Sequence, residues 1–153
     1  MKPKFKIAAI NQYIQSQINT YEDRVIEALK YAGEEFVVRA RNKAPKSLVT
    51  KKPEDGSFND RTGNLRASIG YVILKDGKVI ESDFPGETAT GVQNAKRAIN
   101  EVVKNHSEGL ALIGVAGMSY AAAVESLGFD VITGSAPSSK SIKSLLKSIK
   151  INR

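Results

Sequence analysis

The sequence predicts an α+β fold, with a long N-terminal helix packed on a small, mainly antiparallel sheet and with additional short helices and a C-terminal amphipathic helix. Apolar residues recur at spacings of three and four over residues 10–44, which is typical of an amphipathic helix. Two strand-like segments flank Asp76-Gly77, a strong two-residue hairpin signal. Helical patterns follow the hairpin, and we expect the helices to lie on one side of the sheet.

The first helix has the clearest pattern. Basic residues lie near its end, at Arg39, Arg41 and Lys43, where they complement the helix macrodipole, and Pro45 ends it. A helix of this length either breaks near Gly33, because glycine costs about 1 kcal/mol in a helix interior, or lies across a whole sheet. Its apolar stripe consists of Ile10, Ile14, Ile18, Tyr21, Val25, Leu29, Ala32, Phe36 and Ala40.

A polar segment with two prolines and one glycine over residues 45–62 predicts a long loop, which we expect to be functional or mobile. The next stretch, Thr62 to Arg66, predicts a turn or a single helical turn. Ile69 to Leu74 and Lys78 to Ser82 then predict the two strands of the hairpin.

The second half of the chain predicts several more elements. Thr88 or Thr90 is expected to cap a helix over residues 89–104, and the apolar run 109–115 predicts a buried strand. The remaining elements are a short helix in SYAAAVESLG (119–128) ending at Gly128, a last strand in FDVITG (129–134) and an amphipathic helix over residues 137–150.

Length and composition are those of a single globular domain of 153 residues, in which 41% are hydrophobic. We expect a core over about residues 10–134, a mobile loop 46–60 and a basic C-terminal segment 137–153. The absence of cysteine excludes disulfides and thiolate chemistry. No apolar run approaches the roughly 20 residues that a membrane helix needs, so no membrane partner is expected.

The net charge of +7 is unevenly distributed. Positive charge lies at the N-terminal tip, over residues 39–66 and over residues 137–153, whereas the stretches between them are mildly acidic. A nucleic-acid-binding protein usually concentrates its charge on one folded face. Here two of the three basic blocks are termini, which weakens that interpretation.

Motifs of catalysis and of cofactor binding are missing from the sequence. DRTGNLRASIG precedes a strand and lacks the glycine-lysine pair of a phosphate-binding Walker loop. His106, the single histidine, lies in a polar turn where it is expected to face solvent, with Glu108 as its only neighbouring ligand type. No nucleophile-elbow motif accompanies it. We therefore expect no enzymatic activity, no cofactor and no metal.

The C-terminal helix has several possible uses. Its stripe, at Ile142, Leu145, Leu146 and Ile149, is expected to pack on the domain while its lysines face water. Docking on a partner subunit or neutralising nucleic-acid phosphates are alternatives. A membrane-surface role ranks low because the helix has no aromatic anchors.

The stretch DRTGNLRASI has structural roles that its residue types predict. Asp60 is expected to accept hydrogen bonds from Arg61, from Arg66 or from local backbone amides, and Gly63 permits a positive φ at the turn. Leu65 and Ile69 would anchor the turn in the core.

Arg66 has a more distant candidate partner. Its forked guanidinium could clamp the carboxylate of Glu125 and so join two separate segments of the chain. The alternative is that both groups are solvated surface charges, since exposed ion pairs contribute only about 0–1 kcal/mol.

The chain contains, in order, the segments RARNKAP (39–45), DRTGNLRASI (60–69) and SYAAAVESLG (119–128). Together these segments resemble the tail-completion, or neck, family of long-tailed bacteriophages, whose members are minor structural, head–tail joining proteins. The chain departs from the family's pattern where Leu127 stands between Ser126 and Gly128. The matching residues are Thr62, Gly63, Leu65, Arg66, Ser68, Ile69, Tyr120, Ala121, Val124, Glu125 and Gly128.

The resemblance implies a phage or prophage virion protein that completes the tail, helps join it to the head–neck connector and is present in the host cytoplasm during assembly. Its implied partners are other neck and tail proteins, with a homo-oligomeric ring in the virion, a monomer in dilute solution and DNA contact in the channel. The alternative is a small basic nucleic-acid-binding protein. The implied interface motif consists of Asp60, Arg61, Thr62, Gly63, Leu65, Arg66, Tyr120, Glu125 and Gly128, and the candidate basic surface of Lys46, Lys51, Lys52, Lys140, Lys143, Lys147 and Lys150.

Overall fold

The protein is described by a computed structural model over residues 7–42 and 60–149. Three strands form one antiparallel sheet in the order β2 (Lys78–Asp83), β1 (Ile69–Lys75), β3 (Leu110–Ala116), so that β1 is paired on both edges. On β1, Tyr71 lies opposite Asp83 of β2 and Gly114 of β3. The elements in chain order are α1 (Ile7–Asn42), α2 (Asn64–Ala67), β1 (Ile69–Lys75), β2 (Lys78–Asp83), α3 (Ala89–Lys104), β3 (Leu110–Ala116), α4 (Ala121–Ser126), a 3-10 turn (Thr133–Ser135) and α5 (Ser139–Ser148).

This architecture confirms the predicted α+β fold with a long N-terminal helix on a small antiparallel sheet. Local signals predicted most elements closely. Asp76 and Gly77 turn the β1–β2 hairpin with φ values of 48° and 74°. Of the two candidate caps for α3, Thr88 is the one used, because its hydroxyl accepts the Gly91 N–H at 3.3 Å.

Helix α1 is a single unbroken helix of 36 residues, so the predicted alternative of a break near Gly33 is wrong. Gly33 is buried in the middle of the contact with the sheet. A Cβ atom built at this position would lie 2.6 Å from the ring of Tyr71. The glycine therefore allows the helix axis to come close to the central strand, and this packing offsets its poor helix propensity.

Helices cover both faces of the sheet, which corrects the expectation that they lie on one side. The face of β1 that presents Ile69, Tyr71 and Ile73 packs against α1. The opposite face presents Val72 and Leu74 and packs against α3. Both faces of β1 are buried, and a strand that is buried on both faces needs a layer of packed side chains on each side of the sheet.

Two other expectations need correction. The segment 129–134 forms a bend and the start of a 3-10 turn, not a strand. The β3 strand is mostly half-buried, not buried, because it lies at the edge of the sheet. Helix α5 is confirmed, with Ser138 capping it through the Ser141 N–H at 3.1 Å.

Candidate functional site

The first segment of the predicted interface motif is a tight turn built around α2. The carboxylate of Asp60, which is 9% exposed, accepts the backbone N–H of Arg66 at 2.6 Å. Gly63 has a φ of 73°, a left-handed conformation that favours glycine. Leu65 and Ile69 are 2% and 0% exposed and anchor the turn in the core, as their apolar character predicted. Arg61 is exposed.

Tyr120, from the second segment, meets this turn. Its hydroxyl lies near the side chain of Thr62. Burial, with the nearby negative charge of Asp60, raises the pKa of Tyr120, while the Thr62 side chain acts in the opposite direction. The tyrosine remains 39% exposed, so it forms part of the molecular surface at the point where the two segments touch.

The backbone and the core join the same two segments. The Gly117 N–H donates to the Ser68 carbonyl at 3.2 Å, directly after the α2 turn. Leu65 and Ile69 also share one hydrophobic cluster with Ala121 of α4. The two segments are therefore neighbours on the α1 face of the sheet.

Glu125 does not clamp Arg66, so that predicted pairing is wrong. Its carboxylate instead accepts the backbone N–H groups of Val131, Ile132 and Thr133 at 2.8, 3.0 and 3.1 Å. Partial burial acts to raise the pKa of Glu125, but hydrogen bonds from the Thr133 hydroxyl and from these amides outweigh it and lower that pKa below its ordinary value. The carboxylate thus holds the chain after α4 in a turn, which explains why this segment is not a strand.

Arg66 pairs with Arg41, at the end of α1. Arg41 Nη1 donates to the Arg66 carbonyl at 2.9 Å, and Arg66 Nε donates to the Arg41 carbonyl at 3.3 Å. Burial and the charge of Arg66 lower the pKa of Arg41, while Glu87 and Asp83 act to raise it. Sequence reasoning assigned Arg41 only to the helix dipole and missed this role. Its one available signal was its place on the inward side of the helix, next to Ala40.

The remaining predicted residues lie apart from this junction. Gly128, with a φ of 89°, follows the end of α4 next to Leu127, which is 73% exposed. The α5 lysines Lys140, Lys143 and Lys147 are exposed. Lys46, Lys51, Lys52 and Lys150, with most of the predicted loop 46–60, lie outside the described residues.

Metal-ligating groups do not cluster in the described part of the chain. Within residues 7–42 and 60–149, no three His, Cys, Asp or Glu side chains are grouped so that they could hold a metal ion. His106 is exposed and its Nδ1 lies 3.0 Å from the Val102 carbonyl, at the end of α3. None of the helices that the structure describes is long and apolar enough to span a bilayer.

Comparison with known proteins gives no relative. No family model matches the chain, and no curated protein or solved structure matches it significantly.

Proposed function

We propose that this chain is a structural protein of a phage or prophage virion, which completes the tail and helps join it to the head–neck connector by docking, without catalysis. The observation that supports the proposal is the junction between the two segments that resemble the neck family. Tyr120 contacts the Thr62 turn, and the Gly117 N–H ties the same region to Ser68. A packed, partly exposed junction of this kind suits a docking surface.

The proposed partners are other neck and tail proteins, together with further copies of this chain in a ring. Closed rings arise when head-to-tail contacts between identical subunits return to their start by rotation. The chain alone is proposed to be a monomer in dilute solution and to assemble on its partner. Its place would be the virion, and the host cytoplasm during assembly, where its basic residues could face DNA in the channel.

The test is a disruption of this gene in a phage that carries it, followed by complementation. Disruption should yield separate filled heads and tails in electron micrographs, and the wild-type gene should restore joined particles. Arg61→Glu changes an exposed residue of the junction, and Arg97→Glu makes the same charge change on exposed α3. Only the first should fail to restore joining, with circular dichroism confirming that both variants fold. Joined particles after disruption would refute the proposal.

The exposed lysines of α5 support a second candidate, a nucleic-acid-binding protein. Lys140, Lys143 and Lys147 recur at helical spacing opposite the half-buried stripe, and the helix contains no acidic residue. Such a face would bind duplex DNA with a steep salt dependence. Changing the three lysines to glutamine should then lower the log–log salt slope by about 0.9 for each phosphate that is no longer neutralised. A slope that does not change would exclude this face as a DNA-binding site.

A further inference from the structure

The N-terminal part of α1, residues 7–21, extends beyond the sheet; we call it the arm. Directly after the arm, Glu22 makes an ion pair with the hairpin, with its carboxylate 2.6 Å from Lys75 Nζ. Before that residue, large apolar side chains are open to solvent, with Ile10, Ile14 and Ile18 at 44%, 50% and 51% exposure. At a rise of about 1.5 Å per residue, the arm is roughly 22 Å long.

The exposed side chains of the arm continue the stripe that packs on the sheet further along α1. Ile7, Ile10 and Ile14 are spaced i, i+3 and i+7, and Ile14, Ile18 and Tyr21 are spaced i, i+4 and i+7. These are the anchor spacings of a helix that lies in an apolar groove. The arm therefore has the pattern of a buried helix face, yet the described part of its own chain leaves that face open.

The arm also differs from the rest of the protein in charge. Residues 7–21 contain no Asp, Glu, Lys, Arg or His, although the whole chain carries a net charge of +7. Two copies of the chain would repel each other wherever their basic regions met. Although Lys2, Lys4 and Lys6 precede it in the sequence, the arm itself offers another copy 15 residues without a charged side chain.

An apolar groove of about 580 Å³ lies on the α1 face of the domain. The buried side chains of Phe36 and Tyr71 line it, together with exposed Thr133 and Ala136 and half-buried Ile142. Among the described residues, no charged side chain lines it, so it matches the arm in polarity and in the absence of charge. A groove of this size can hold several aliphatic side chains.

The arm cannot fill the groove of its own chain. Phe36 is on the same unbroken helix as Ile14 and lies 22 positions later, which corresponds to about 33 Å along the axis. A helix without a break cannot fold back on itself. Any arm in this groove must come from another molecule.

We propose that the arm of one copy lies in the α1-face groove of a second copy. The inference rests on the proposed docking role, because it names the contact through which copies associate. A membrane-binding arm would be expected to carry Lys or Arg on its polar face, which here holds Asn, Gln, Ser and Thr. A nucleic-acid-binding arm would need the same basic residues.

The absence of cysteine from the chain allows a direct test by cross-linking. An Ile14→Cys variant is mixed with an Ala136→Cys variant of distinguishable mass and treated with a short bifunctional maleimide. Ala136 is exposed and lines the groove, and Gln12→Cys, on the opposite side of the arm, replaces Ile14→Cys in the control. We expect the mixed product with Ile14→Cys at several times the yield of the control. Equal yields, or only products between two Ile14→Cys chains, would overturn the proposal.

Self-association gives a second readout by analytical ultracentrifugation over a concentration series. Ile14→Lys with Ile18→Lys should weaken association about tenfold or more, whereas Gln12→Lys with Ser16→Lys adds the same charge off the stripe and should weaken it less. All four positions are exposed in the single chain, so folding should not change. Equal effects of the two pairs, or a wild-type chain that binds lipid vesicles and stays monomeric at every concentration, would contradict the inference.

The two proposals fail in different ways. Oligomers that form without the mixed cross-link would refute the arm-in-groove contact and leave the virion role intact. A mixed cross-link in a protein whose gene disruption leaves heads joined to tails would refute the virion role alone.

Discussion

Arg41 and Arg66 each donate a guanidinium N–H to the backbone carbonyl of the other, at 2.9 and 3.3 Å. The Arg41 carbonyl belongs to the last turn of α1, where carbonyl groups have no partner within the helix. Two like charges are thus held close together because each one satisfies a backbone acceptor. This reciprocal pair fastens the end of α1 to the α2 turn.

Replacing Arg66 by lysine should destabilise the protein by about 1–2 kcal/mol, although the charge is kept. Lysine cannot reproduce the geometry of the guanidinium Nε–H, so the Arg41 carbonyl loses its donor. Urea unfolding measures the change. Arg39→Lys is the control, since Arg39 is exposed and pairs with Glu35 in the same helix. An equal, small effect of both substitutions would show that the reciprocal pair does not matter for stability.

Glu125→Gln should destabilise the protein by about 1–3 kcal/mol at neutral pH, because an amide cannot accept from all three backbone N–H groups and would direct its own NH₂ at one of them. Thermal or urea unfolding measures the change, and exposed Glu101→Gln serves as the control. If the two variants were equally stable, the carboxylate would not be what holds the turn after α4.

The same carboxylate predicts a pH dependence. The pKa of Glu125 is lower in the folded chain than in the unfolded chain, so its contribution is present above the ordinary pKa of a glutamate and is lost as the pH falls through the folded value. Unfolding free energies measured from neutral to acidic pH should therefore converge for wild type and Glu125→Gln. A constant difference down to the lowest pH would contradict this assignment.

Gly33→Ala should destabilise the protein even though alanine favours a helix by about 1 kcal/mol over glycine. The new Cβ would lie 2.6 Å from the Tyr71 ring, which is itself 1% exposed and cannot move away freely. Overpacking of this kind costs about 1–3 kcal/mol. Ser16→Ala, exposed in the same helix, should be neutral or slightly stabilising in thermal unfolding. A Gly33→Ala variant more stable than wild type would mean that the helix moves away from the strand without cost.

Tyr71→Phe should leave stability unchanged or raise it by about 1 kcal/mol, because the buried Tyr71 hydroxyl has no hydrogen-bond partner among the described residues. Exposed Tyr31→Phe is the matched control. Chemical denaturation at neutral pH measures both. A drop in stability larger than that of the control would indicate that the hydroxyl has a partner in the folded protein.

Tyr71 also predicts alkaline behaviour. Burial, with the charges of Glu34 and Glu81, raises the pKa of Tyr71 to about 12. The unfolded chain releases this proton near pH 10, so wild-type stability should fall as the pH rises from about 10 to 12. The Tyr71→Phe variant should lose less stability over this range. Identical alkaline curves would argue against the raised pKa.

Much of the fold could be predicted from local chemistry. The apolar stripe of α1, the Asp76-Gly77 turn and the Thr88 cap each depend on residues a few positions apart, and each appears in the structure. The Asp60 carboxylate was also correctly expected to accept a nearby backbone amide.

Predictions that needed tertiary information were less successful. The partner of Arg66 is decided by where α1 ends relative to α2, and charge alone pointed to Glu125 instead of Arg41. The segment after α4 has strand-forming residues, but the Glu125 carboxylate takes the amides that a strand would need for pairing. The contact between Tyr120 and Thr62 was not predicted, since the link expected between these two segments was the pairing of Arg66 with Glu125.

Because α1 is unbroken, the arm is a direct extension of the helix that packs on the sheet. A continuous helix has no joint between its exposed end and the central strand on which Gly33 rests. A partner bound to the arm is held at a fixed distance and angle from the sheet. The geometry of an assembly would therefore follow from the direction of one helix and not from a flexible linker.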